Sequence, residues 1–83
     1  MRRYFFNLVI GPVHIRDREG DVLPDDVAAR EHASHDILVV YRAKVVRQQA
    51  PSSCFVEVTG ENGEALFAVP FSEAPGVKAD EAP

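Results

Sequence analysis

His32, His35 and Asp36 are the residues whose spacing most resembles a chemical device. At i, i+3 and i+4 they can share one face of a helix. Two imidazoles and a carboxylate placed so can hold Zn²⁺ or Ni²⁺ once a further ligand arrives. No His-Glu-x-x-His motif surrounds them, and no second cluster of ligands is visible. On a helical wheel both histidines lie away from the apolar stripe, so the expectation is solvent-facing side chains and no metal.

A second group comprises Asp17, Glu19, Asp21, Asp25 and Asp26. Carboxylates at close spacing suit a divalent cation, but this is not the spacing of a calcium loop, and Arg16 and Arg18 interrupt it. Turn formation and helix capping account for the same residue types. Arg2, Arg3, Arg16 and Arg18 can come together because the first two strands are adjacent and, with Tyr4 and Phe5, resemble a small aromatic-plus-basic nucleic-acid surface. The net charge of −4 opposes that field, so nucleic acid is not the expected partner. Cys54 is the only cysteine, which excludes an internal disulfide and a thiolate metal site built from one chain. It falls on the core face of a strand, where a lone thiol behaves as an inert small hydrophobe. Ser34, Ser52, Ser53 and Ser72 sit in no nucleophile elbow or triad pattern. The glycines are dispersed at turns rather than gathered into a phosphate-cradling loop. No catalytic, cofactor-binding or metal-ligating residue is assigned, and the chain reads as non-enzymatic.

These residues must be positioned by a single small domain. A chain of 83 residues buries only roughly 60–65% of its unfolded surface, so its core is thin and association or efficient packing must help it. Hydrophobic content of 46% and charged content of 27% are ordinary globular values. No apolar run approaches the roughly 20 residues needed to cross a bilayer. The opening Met1-Arg2-Arg3-Tyr4-Phe5-Phe6-Asn7 has too short an apolar region for a secretory signal, so a cytoplasmic location is the default expectation.

Arg3 to Ile10 predicts a strand, ending at the turn pair Gly11-Pro12, with Tyr4, Phe6 and Leu8 on one face and Phe5, Asn7 and Val9 on the other. Val13 to Asp17 predicts a shorter returning strand, followed by the polar turn Asp17-Arg18-Glu19-Gly20 and a brief extended piece at Val22-Leu23. Asp25 or Asp26 caps a helix expected from about Asp26 to about Arg47, with Arg42, Lys44 and Arg47 near its C-terminal end. Ala29, Ala33, Ile37, Val40 and Ala43 form its apolar stripe. Ile37-Leu38-Val39-Val40-Tyr41 also fits a buried strand, but the capped, alanine-containing start leads into it without a breaker, which favours the helix. Gln48 to Ser53 is a loop. Two further strands form a hairpin around Gly60-Glu61-Asn62-Gly63. With Thr59 facing Glu64, the residues Cys54, Val56, Val58, Phe67, Val69 and Phe71 share an apolar face. Pro70 ends the last strand or marks an edge. Residues 1–73 make the domain and 74–83 a disordered tail. The expected fold is α+β, in the order β-β-α-β-β, with one helix packed on a four-stranded antiparallel sheet.

Apolar residues remain on the second sheet face. Phe5, Val9, Phe55, Leu66 and Ala68 have no obvious cover, and Val39 and Val46 lie on the helix's outer side. Such surpluses mark interaction sites, and a homodimer is the expected outcome.

Several pieces together resemble a small bacterial family, a domain of unknown function. They are Arg3-Tyr4-Phe5-Phe6, Asp17-Arg18-Glu19-Gly20, Leu23-Pro24-Asp25 and Ala29-Arg30-Glu31-His32-Ala33, followed by Phe55-Val56-Glu57-Val58-Thr59, Gly63 and Pro70-Phe71-Ser72-Glu73. The resemblance spans about residues 2–74 and implies no activity, cofactor or catalytic residue. The layout of strand pair, acidic-glycine turn, Leu-Pro-Asp and helix is also similar to the partially RNase-H-like domain of HicB-type antitoxins. That likeness implies a regulatory protein masking a basic partner. Within these 83 residues no separate DNA-binding domain is expected after the second hairpin.

Overall fold

The computed structural model describes residues 1–43 and 53–74. Its architecture is α+β: one helix on a five-stranded antiparallel sheet. Strand β1 (Arg2–Ile10) is the hub. Along Phe5–Ile10 it pairs with β4 (Cys54–Thr59), which pairs in turn with β5 (Ala65–Pro70). On the opposite side of β1, Leu8–Ile10 pairs with β2 (Val13–Ile15). Arg2–Tyr4 pairs with β3 (Asp21–Leu23).

The sequence predicts four strands; the fifth is the extended piece around Val22. It forms because the chain between β2 and β3 detours. Four positions separate Tyr4 from Leu8, but six separate their partners Asp21 and Ile15, so two extra residues loop out. Gly20 lets the chain rejoin β1. Its φ is +69°, and a Cβ there would lie 2.7 Å from the Tyr4 carbonyl oxygen. Only glycine meets both conditions without strain.

Helix α1 (Asp26–Arg42) starts at Asp25, whose Oδ1 accepts the Ala28 N–H at 2.9 Å. This satisfies one of the orphan donors of the first turn. Asp26 has a different task, accepting the Tyr4 hydroxyl at 2.8 Å and tying the helix start to β1. Ile37 to Tyr41 are helical. Arg42 lies in the last turn; Lys44, Val46 and Arg47 lie outside the described residues. Ala29, Ala33 and Ile37 are fully buried, facing a sheet surface that contributes Tyr4, Phe6, Val56 and Val58, with Phe71 from the turn after β5 in the same core. The two alanines remove side-chain bulk where helix and sheet meet. Each fully buried Ile, Val or Phe here contributes about 1.5–3 kcal/mol.

The hairpin keeps the predicted core face but not the predicted pairing. Val56 faces Val69 and Val58 faces Phe67, two positions from the expected partners. The cause is the turn. Gly60 pairs with Glu64, donating to its carbonyl at 2.9 Å, and Gly63 donates back to Gly60 at 3.0 Å. Ala65 then faces Thr59 while Phe67 faces Val58, which leaves Leu66 in a β-bulge. An offset of two preserves facing, so Cys54, Val56, Val58, Val69 and Phe71 are all buried on the helix side. Pro70 ends β5, which lies at the sheet edge. A 3-10 turn (Phe71–Glu73) follows, and Ala74 is buried. The rest of the expected tail, 75–83, lies outside the described residues.

Candidate functional site

The outer sheet face is built in rows. Phe5 lies beside Thr59; Asn7 beside Glu57, with Ala68 beyond; Val9 between His14 and Phe55, with Pro70 beyond. Helix α1 packs on the opposite face, so among the described residues no second layer covers these rows. Phe5 and Phe55 are half-buried, Val9 is buried and Ala68 is exposed. Leu66 sits in the bulge and packs against the core cluster. Val39 is 55% exposed on the helix, and Val46 lies outside the described residues. The candidate interface thus falls into an outer-face set, Phe5, Val9, Phe55 and Ala68, and separate positions elsewhere.

Two clefts open on this face. One, of about 330 Å³, has Phe5, Asn7 and Thr59 as its floor, Arg16 and Asp17 as one wall, and Glu57 with the Gly60–Gly63 turn as the other. The second, of about 280 Å³, runs beside β2 over Val9, His14 and Arg16. Both are mixed in character, suited to a polar-rimmed contact rather than an enclosed substrate.

A polar network fixes the floor. The Asn7 amide donates to the Glu57 carbonyl at 3.1 Å and to the Thr59 hydroxyl at 3.2 Å, and its oxygen accepts the Asp17 N–H at 3.0 Å. Asp17 holds the detour between β2 and β3. Its Oδ2 accepts the Phe6 N–H at 3.0 Å, and its Oδ1 accepts the N–H groups of Glu19 and Gly20 at 3.1 Å each. Burial works against the charged carboxylate. The Phe6, Gly20 and Glu19 N–H groups, with the nearby His32, outweigh it and hold the group below the ordinary aspartate range. Alternation of apolar residues carries no information about such a network. The sequence signal for it was Asp17 three residues before Gly20, the signature of an Asp-led turn.

The other sequence candidates are dispersed. His35 is exposed, but His32 is not the solvent-facing residue expected. Its ring stacks on Phe6 with centroids 4.3 Å apart. Its Nε2 lies 2.9 Å from Asp21 Oδ2 on β3, and its Nδ1 lies 3.3 Å from Asp36 Oδ2, without hydrogen-bond alignment. The helical wheel misses this because β3, unread as a strand, supplies the partner. The two carboxylates approach opposite ring nitrogens and so share no common centre. Among the described residues no three ligating side chains form a metal site. Burial raises the Asp36 carboxyl above its ordinary value, against the pull of His32 and His35. The four arginines do not pool their charge either. Arg2 pairs with Glu64 at 3.8 Å, Arg3 donates to the Glu19 carbonyl at 2.8 Å, Arg16 lines the clefts, and Arg18 is exposed in the detour between β2 and β3. Cys54 is fully buried, and burial raises its thiol above the ordinary value.

Residues 3–72 match the family described as Domain of unknown function (DUF6894). The chain belongs to this family. The match takes in β1 through β5 and the helix between them, so the network of Asn7 and Asp17 and the outer sheet face both lie inside the family domain. No curated protein and no solved structure matches the chain. No helix among the described residues is long and apolar enough to cross a membrane.

Proposed function

We propose that the protein is a non-enzymatic, cytoplasmic interaction module that forms a homodimer through the outer face of its sheet. The observation that carries this reading is the single-sided cover. Helix α1 packs on one face only; on the other, Val9 and Phe55 share one row, and Phe5 lies beyond the Asn7–Glu57 row. A small domain gains much of its stability from burial, so a second copy placed on that face adds what a second layer would supply.

The size of the face sets the strength. Four strands at about 4.8 Å spacing and six residues at about 3.3 Å give roughly 400 Å² in plan. That is below the roughly 800 Å² per partner of a standard stable interface. The expected dimer is therefore concentration-dependent.

The test is light scattering coupled to size exclusion across a concentration series, on the protein and on Phe55→Glu. A mass that rises to two chains with concentration, and a variant that stays at one chain with its helical circular dichroism intact, support the reading. A wild-type mass fixed at one chain, or a dimer untouched by Phe55→Glu, overturns it.

A further inference from the structure

The outer face carries opposite charges on opposite sides of β1. Arg16 follows directly on Ile15, the partner of Leu8, so it sits alongside Asn7 on the β2 side. The Asp17 N–H bond to the Asn7 side chain keeps the chain at that position. Glu57 is the partner of Asn7 on the β4 side. Arg16 and Glu57 thus flank Asn7 in one row, two strand spacings or about 10 Å apart. Both line the same two clefts. Among the described residues, neither side chain makes an ion pair or a hydrogen bond.

The two charges are unpaired among the described residues of one copy, and a second copy can neutralise them. Two sheets packed face to face are related by a two-fold axis lying between them. An axis across the strands would set Arg16 over Arg16 and Glu57 over Glu57, a repulsive arrangement. An axis along β1 reverses the row, setting the β2 side of one copy over the β4 side of the other. We propose that the homodimer uses this second axis, with Arg16 of each copy meeting Glu57 of the other on both sides of β1, Phe5 stacked near the axis and Phe55 over the second copy's His14. The inference rests on the self-association reading above and adds its geometry. Sheets pack aligned, with strand directions within about 30°, so the arrangement needs no unusual crossing. An isologous interface repeats each pair, so any charge effect acts twice.

The experiment is a charge exchange, with mass read by light scattering across a concentration series. Arg16→Glu alone and Glu57→Arg alone each place like charges opposite each other twice, and each should weaken the dimer at least about tenfold. An equimolar mixture should recover a two-chain complex containing one copy of each variant, identified by native mass spectrometry. Circular dichroism of each variant as a monomer checks that the exposed substitutions leave the fold intact. If Phe55→Glu abolishes the dimer while both charge variants dimerise as the wild type does, the proposed axis is wrong and the self-association reading stands. If the single variants are weakened and the mixture fails to recover, the pairing is likewise wrong. A wild type that stays monomeric throughout overturns both.

Discussion

Replacing Asp17 with alanine removes the acceptor that closes the interrupted edge of the sheet. Three backbone N–H groups lose their partner: Phe6, Glu19 and Gly20. They do not count equally. The bond to Glu19 is exposed, so water replaces the carboxylate there at little cost. The bonds to Phe6 and Gly20 are part-buried. A hydrogen bond to a charged group contributes about 1.5–3 kcal/mol net, with the lower figure apt where water has access. The expected loss for Asp17→Ala is about 3 kcal/mol, against a total of roughly 4–12 kcal/mol for a chain this size. The sign of the pH dependence follows from the depressed carboxyl. A group whose folded value lies below its ordinary 3.8 stabilises the fold above that value and loses this contribution as pH falls through the folded value. Urea denaturation of both proteins at neutral pH and at about pH 3 reads this directly. The gap between them should be wide at neutral pH and narrow in acid. A neutral-pH gap under about 0.5 kcal/mol, or a gap that does not narrow, refutes the assignment of Asp17 as the anionic acceptor.

Gly20→Ala should lower stability by about 2 kcal/mol or more, because it combines a positive φ with a Cβ pressed on the Tyr4 carbonyl; a thermal melt within a degree of wild type would show that the chain relaxes there freely. The Cys54 thiol, buried and raised above its ordinary value, should react with a thiol reagent at pH 8 only as fast as the fold opens. Labelling should accelerate in urea in step with unfolding, and rapid stoichiometric labelling of the native protein would contradict its placement.

What the sequence made legible and what it did not divide along physical lines. Helix α1 was readable because capping by Asp25 and the spacing of Ala29, Ala33 and Ile37 are local properties. The buried face of β4 and β5 was readable because it depends only on odd or even position, which survived a two-residue error in register. The register itself was not, since it is set by Gly60 closing the turn with Glu64. The Glu64 carboxylate folds back so closely that a Cβ on Gly60 would lie 2.6 Å from it. Strand β3 escaped because three residues carry too little periodicity, and its pairing depends on how Asp17 and Gly20 route the chain back. His32 followed β3 out of view. In the outer face, Phe5, Val9 and Phe55 were visible as surplus apolar residues; the Asn7 and Asp17 network beneath the clefts was not, because it joins residues up to 52 positions apart.

The central place of β1 also bears on how the chain acquires its structure. This strand is made before its partners, and the early ones are near: β2 and β3 follow within the next two dozen residues. Its principal partner comes late, since the β1–β4 pairs span from 44 positions (Ile10 to Cys54) to 54 (Phe5 to Thr59). Closing such separations before any compensating contact forms is what slows folding in proteins rich in distant pairings. During synthesis, the aromatic strand Tyr4-Phe5-Phe6 therefore waits with one side unpaired, held only by a short and interrupted edge. Refolding of the full chain should be limited by capture of β4, and substitutions at Val56 and Val58 should slow folding more than equally destabilising changes in β2.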